Sequence, residues 1–180
     1  MTDRLHFTGN DEADRLLVDD PFALLVGFAL DQQVPVQKAF MGPFVLRERL
    51  GTLDVAAVAA AELDPIFRER PAIHRFPGAM ATRVHELAVY VLERYDGDAA
   101  RVWTTAATTD ELREHLGSLP GFGDMKIKAL GSVLAKRFGV ELAEPLIPWH
   151  ATLGDGDSPA ALLGYQAAKK VHKADWLAKS

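Results

Sequence analysis

A glycine-rich turn followed by two lysines is the part of the sequence best suited to bind an anion. The turn reads Leu119-Pro120-Gly121-Phe122-Gly123, and Lys126 and Lys128 lie just beyond it. Proline cannot continue a helix, whereas glycine readily takes positive φ. Without side chains at Gly121 and Gly123, backbone N–H groups can approach an anion at the N-terminus of a helix, where the dipole favours negative charge. An ordinary turn between two helices has the same residues, so both interpretations stay open.

Apolar residues at helical spacing flank this turn on both sides. Leu112, Leu116 and Leu119 precede it, and a second helical pattern runs from Ile127 to Phe138. The spacing predicts two short helices that meet at the turn, a hairpin over about 110–138.

A second polar segment follows the most apolar part of the chain. Phe22 to Leu30 is apolar nearly all round, which predicts a helix buried at the centre of the fold. Asp31-Gln32-Gln33 comes directly after it. Glutamine can offer both a donor and an acceptor to a base. A polar C-terminal cap of the buried helix is the alternative role for these residues.

The remaining pattern predicts an all-α fold in a single domain over residues 1–180. Asp20-Pro21, Asp64-Pro65 and Ser158-Pro159 have the residue types that start helices. The proline-rich segment Val140–His150 lacks periodicity and is expected to be a surface loop. A basic C-terminal helix is expected over about 158–180, and no β-alternation of useful length is present.

Composition limits the possible classes of protein. The chain has 48% hydrophobic residues and a net charge of −5, which argues against a protein that coats nucleic acid non-specifically. It has no cysteine, which excludes a cysteine-ligated iron–sulfur cluster or zinc site. No signal-peptide pattern or membrane-length apolar run is present, so we expect a cytoplasmic, nucleoid-associated protein with no membrane partner. Lysines and arginines cluster late in the chain, and acidic residues cluster near its start.

The turn and the glutamine segment together resemble a known family. Leu-Pro-Gly-Phe-Gly with its following lysines, and Ala29–Ala39 upstream, resemble the HhH-GPD (helix-hairpin-helix) superfamily of base-excision DNA repair glycosylases. The resemblance is closest to the small cysteine-free HhH-GPD-type proteins without an iron–sulfur cluster. It implies a two-lobed helical glycosylase-like fold and a monomer that binds double-stranded DNA through Gly121, Phe122 and Gly123. It also implies a monovalent cation held by hairpin carbonyls, with no other cofactor and no protein-ligated metal.

The resemblance also implies roles for individual residues. Gln33 matches the residue that enters the base stack beside a flipped nucleotide, and Arg83 matches a contact to the DNA backbone. Lys126 and Lys128 are expected to bind phosphates. The superfamily has a catalytic aspartate downstream of the hairpin, but the only acid in that segment, Ala143–Leu146, is Glu144.

The chain departs from the superfamily pattern in its catalytic residues. Met125 stands nearest to the position of the Schiff-base lysine of bifunctional members, and Asp31 is the second candidate acid beside Glu144. We therefore expect a monofunctional DNA N-glycosylase that flips and releases a damaged base. The first alternative is a non-catalytic protein that binds DNA lesions or structures after loss of the acid. An interaction protein with an incidental turn is the third possibility, but it does not account for Asp31-Gln32-Gln33.

Overall fold

The computed structural model describes residues 2–179, so Met1 and Ser180, the ends of the predicted domain, lie outside it. The all-α prediction is confirmed, because the described residues form helices and no strand. The α-helices are α1 Asp11–Asp19, α2 Pro21–Leu30, α3 Val36–Leu50, α4 Val55–Ala60, α5 Leu63–Arg68, α6 Pro77–Tyr95, α7 Arg101–Thr104, α8 Thr109–Gly117, α9 Asp124–Phe138 and α10 Pro159–Lys179. Two 3₁₀ helices, Glu141–Leu146 and Leu153–Asp155, lie between α9 and α10.

Helix α2 forms the centre of the core, as its apolar sequence predicts. All nine residues from Phe22 to Leu30 are buried, and the Asp20 side chain caps the helix by accepting from the N–H of Phe22. Gly27 allows close packing against α3, since a Cβ there would lie 2.4 Å from Cδ1 of Phe40. Helices α1, α3 and α6 surround α2. The end of α2 is therefore a rigid base for Asp31 and the glutamines.

The helices pack in two groups. Helices α1–α6 pack mainly on one another and form the N-terminal lobe. Helices α7–α10 and both 3₁₀ helices form the C-terminal lobe, in which α9 packs against α8 and both 3₁₀ helices. One hydrophobic core extends through both lobes. Residues near the ends of α2 and α9 therefore meet where the lobes adjoin.

Two local predictions are wrong. Asp64 is not the N-cap of α5, because the helix begins one residue earlier, at the buried Leu63; Asp64 lies in its first turn and accepts from Nε of Arg68 at 2.8 Å. The segment Val140–His150 is not only a surface loop. Its residues Glu141–Leu146 form a 3₁₀ helix packed on α9, where a Cβ at Gly131 would lie 2.8 Å from Cβ of Leu146.

Helix α10 is attached to the body through its first turns. Ser158 precedes it, as predicted, and its Oγ accepts from the N–H of Ala161 at 3.0 Å. Leu162 is buried, and Gln166 exchanges two side-chain hydrogen bonds with Gln37 of α3, at 3.0 and 3.1 Å. From Val171 to Lys179 every residue is exposed. Across residues 2–179, no helix combines the length and apolarity needed to span a bilayer.

Candidate nucleic-acid interface

The turn between α8 and α9 presents backbone at the surface. Gly121 has a φ of 78°, in the left-handed region that glycine favours, and both Gly121 and Gly123 are exposed. Phe122 between them is buried and its N–H donates to the carbonyl of Leu119 at 3.1 Å. The buried phenyl ring of Phe122 thus anchors the turn to the core, while the backbone of Gly121 and Gly123 stays accessible.

The N-terminus of α9 lacks a side-chain cap. Gly123 is the N-cap residue, and a Cβ on it would meet nothing within 4 Å. The first N–H groups of a helix have no intrahelical acceptor, so they can bind an anion here. Asp124 adds a negative charge at this end, but it forms an ion pair with Nζ of Lys128 at 2.8 Å. Lys128 is therefore partly neutralised beside the turn.

Carbonyl oxygens of the same turn fit the monovalent cation that the resemblance implies. The carbonyls of Pro120 and Gly121 accept no hydrogen bond from any residue in 2–179. Carbonyl oxygens suit hard cations, which favour oxygen ligands. Elsewhere in the chain, within the described residues, no three histidine, aspartate or glutamate side chains gather into a metal site.

Arg83 of α6 lies directly against the turn. A Cβ on Gly121 would be 1.7 Å from Nη1 of Arg83, so the guanidinium occupies the space that a side chain at Gly121 would need. Its Nε is 4.0 Å from Oε2 of Glu86, a weak pairing at the surface. The structure thus brings Arg83 and Gly121 together, although they are far apart in the sequence.

Lys126 points into the protein, toward the end of α2. Its Nζ donates to the carbonyl of Ala29 at 3.2 Å and lies 5.5 Å from the centre of the Phe122 ring. Burial lowers the pKa of Lys126 to about 8, against the opposing effect of the nearby Asp31 carboxylate. Lys126 therefore links the two lobes, and its ammonium group is easier to deprotonate than an ordinary lysine.

Asp31 is the acid that lies where the lobes meet. It follows α2, is half-buried, and its backbone N–H donates to the carbonyl of Phe28 at 3.2 Å. Burial raises the pKa of Asp31, while Lys169 and Lys126 lower it. Burial, and to a lesser extent the charge of Asp31, raise the pKa of Tyr165 on α10. We call Asp31, Lys126, Tyr165 and Lys169 the interlobe cluster.

His74 is a site residue to which the sequence analysis assigned no role. Its Nε2 lies 3.0 Å from the carbonyl oxygen of Leu30 and 3.2 Å from that of Gln32, and its Nδ1 accepts from the N–H of Phe76. The ring must therefore be neutral, with its proton on Nε2. Burial lowers the pKa of His74, which favours that state. A single histidine in a loop carries no sequence signal for this contact, which fixes the chain around Asp31.

Gln33 lies at the surface beside this fixed segment. It is exposed and has a φ of 58°, an uncommon left-handed conformation for a residue other than glycine. It lines a surface cleft of about 650 Å³ together with Lys38, His74 and Arg75. Arg75 is exposed, with its guanidinium 5.2 Å from the centre of the Phe76 ring.

The other candidate acid, Glu144, is not part of the interlobe cluster. It is exposed on the first 3₁₀ helix, and it is not among the charged groups that shift the pKa of Asp31. The next acid along the chain, Asp155, is ion-paired with Lys136 and accepts from the N–H of Thr152 at 2.9 Å. Glu144, the acid that the superfamily order suggests, therefore lies outside the interlobe cluster, whereas burial and, to a lesser extent, the charge of Asp155 raise the pKa of Tyr165, a member of the cluster.

Comparison of the chain with protein-family models, with curated proteins and with solved structures finds no match.

Proposed function

We propose that the protein belongs to the HhH-GPD superfamily and acts as a DNA base-excision repair glycosylase. One observation carries the proposal: an uncapped, glycine-lined helix N-terminus and a half-buried carboxylate beside Lys126 occur at the same junction between two helical lobes. The helix N-terminus can bind a backbone phosphate of DNA, and the carboxylate can take part in the hydrolysis of a glycosidic bond.

DNA binding is assigned to the turn and the residues around it. The N–H groups of Gly121, of Gly123 and of the first turn of α9 would bind a phosphate, with Arg83 supplying positive charge beside the turn. Lys128 would contribute once its ion pair with Asp124 opens. Lys126, by contrast, would act inside the junction, because its ammonium group already contacts the Ala29 carbonyl.

The chemical role falls to Asp31. A carboxylate can stabilise the positive charge that develops on the sugar, or accept a proton from the attacking water as the base departs. Lys126 and Lys169 favour the ionised form of Asp31 against the effect of burial. Gln33, held next to Asp31 in an exposed bend, would occupy the space that the flipped base leaves.

The test is base release from duplexes that each contain one uracil, alkylated, deaminated or oxidised base. We expect release from at least one of them. Asp31→Asn should abolish this release and retain binding to the same duplex, because the amide cannot take the proton or carry the charge. Glu144→Gln is the matched control and should keep the rate, since Glu144 is exposed and outside the cluster. An unchanged rate in Asp31→Asn would exclude Asp31 as the catalytic acid.

A non-catalytic lesion-binding protein is the second candidate. It is favoured by the exposed position of Glu144 and by the ion pair that engages Asp155. In that case the protein should bind one damaged duplex more tightly than the intact one. No free base should then appear even when protein is in excess over DNA.

A further inference from the structure

Helix α10 continues past the body of the protein. Its first turns are held by Leu162 and by the Gln37–Gln166 pair, whereas the nine residues from Val171 to Lys179 are all exposed. A helix of this kind presents a complete surface to solvent, so its composition on each face indicates what it can bind.

On one face of α10, the residues that attach the helix to the body of the protein are followed by basic residues. Successive side chains of a helix are about 100° apart, so residues three and four apart share a face. The anchoring residues Leu162, Tyr165 and Gln166 thus lie in line with Lys169, His172 and Lys173. We call Lys169, His172 and Lys173 the basic face of α10. Lys169 packs its Nζ 5.9 Å from the Tyr165 ring centre and belongs to the interlobe cluster as well.

The opposite face of α10 is apolar but small. It carries Leu163, Ala167, Val171 and Ala174, and the other exposed large apolar residues of α10 lie elsewhere: Trp176 shares the face of His172 and Lys173, and Leu177 lies between the two faces. A helix that inserts into a lipid surface requires a broad face of large apolar residues, which this one lacks. The helix has four lysines and one aspartate, in a chain whose net charge is −5. Its local charge is therefore opposite in sign to that of the whole protein.

We propose that the basic face of α10 is a second DNA-binding surface, which contacts the phosphates of the duplex next to the junction between the lobes. The inference rests on the proposed function, and its main support is continuity. Gln166 holds α10 to Gln37 at the start of α3, six residues after Asp31, and Lys169 and Lys173 continue the same face of α10 away from that contact. A polyanion seated at the junction would meet these side chains next. DNA is the partner that matches this run of positive charge.

The first experiment compares the salt dependence of binding to an undamaged duplex. Lys169→Gln/Lys173→Gln should reduce the slope of log affinity against log salt by about two units, one for each lost phosphate contact. The control, Arg15→Gln/Arg94→Gln, removes two exposed charges from α1 and from the end of α6 opposite Arg83. It should leave the slope unchanged. Equal slopes for both double variants would overturn the proposal.

The second experiment uses the absence of cysteine in the chain. His172→Cys and Ala174→Cys introduce single thiols on exposed positions about 160° apart around the helix. With a photoreactive group on the thiol, position 172 should cross-link to bound duplex and position 174 should not. Equal cross-linking to DNA from both positions, or protein-to-protein cross-links from position 172, would overturn the proposal. The latter outcome would identify the helix as an interface between copies of the chain.

Measurements on the unsubstituted protein distinguish failure of this inference from failure of the proposed function. If this parent protein shows no salt-dependent binding to duplex DNA, the proposed function fails and the DNA-binding role of α10 fails with it. If the parent binds and Gly121 or Gly123 substitutions weaken binding, but the basic-face variants bind like their controls, only the role of α10 is refuted.

Discussion

Replacing Gly123 with serine should make the protein more stable and a weaker binder of DNA. Gly123 is the N-cap of α9, with φ −91° and ψ −174°, a conformation open to any residue. A Cβ there meets nothing within 4 Å. The serine hydroxyl would accept a hydrogen bond from an N–H in the first turn of α9, and that N–H is one that the proposal assigns to a phosphate.

The expected gain in stability is small and positive. Serine exceeds glycine at an N-cap by a few tenths of a kcal/mol. Loss of glycine flexibility from the unfolded chain adds about 0.4–1 kcal/mol. Since about 1 kcal/mol shifts the midpoint of a chain of this size by about 2–4 °C, Gly123→Ser should melt about 2–4 °C above the parent in a thermal unfolding scan.

The expected loss of affinity follows from the same hydrogen bond. A hydrogen bond to a charged group is worth about 1.5–3 kcal/mol, so the duplex should bind about tenfold or more weakly. The slope against salt should not change, because serine is neutral. Fluorescence anisotropy with a labelled duplex measures both quantities. Unchanged affinity, with the higher melting temperature observed, would refute phosphate binding at the N-terminus of α9.

Gly121→Ala is the comparison variant in the same turn. Its φ of 78° costs a residue with a Cβ about 1–2 kcal/mol. The added carbon would also displace the guanidinium of Arg83, 1.7 Å away. Stability and affinity should therefore fall together in Gly121→Ala, whereas they move in opposite directions in Gly123→Ser. If Gly123→Ser and Gly121→Ala each lose both affinity and stability, the substitutions have merely distorted the turn.

Three further predictions concern the residues around the turn and the end of α2. Gln33→Ala should lose the preference for damaged over intact duplex while keeping most affinity for intact DNA; an equal loss on both in a competition assay would favour a cap instead. The free energy of unfolding should decrease as the pH falls below 6.5, because the unfolded state protonates His74 before the folded state does, and denaturant titrations of His74→Gln should lack that part of the decrease. Asp124→Asn should release Lys128 and bind duplex more tightly, with a steeper salt slope, and an unaltered slope would show that Lys128 does not reach phosphate.

The elements of the fold were predictable where the sequence carries a local signal. Helix α2 is apolar on all sides and begins with an aspartate cap, so both its existence and its burial follow from its own residues. The same Asp-Pro pair at Asp64-Pro65 lies within the first turn of α5, whose N-cap is Glu62, so the pair indicates the helix but not its first residue. In the segment 140–150 a single short 3₁₀ helix gives too few turns to show a period.

The candidate site was only partly predictable, because its contacts join residues far apart in the chain. The turn at Gly121–Gly123 and the segment Asp31–Gln33 are visible as motifs. No local sequence pattern, however, predicts that Lys126 points inward to the Ala29 carbonyl or that Arg83 packs against Gly121. The sequence likewise could not rank Asp31 above Glu144, since burial depends on packing between the lobes.

The two-lobed packing has a consequence for how the protein is made. Within each lobe the helices contact near neighbours in sequence, so the contacts among α1–α6 can begin to form while the rest of the chain is still being synthesised. The interlobe cluster needs residues from α9 and α10 as well as from the end of α2. It therefore forms only after the residues of α10 have left the ribosome. A chain without α9 and α10 would lack the charges of Lys126 and Lys169 near Asp31, and so could not perform the proposed chemistry.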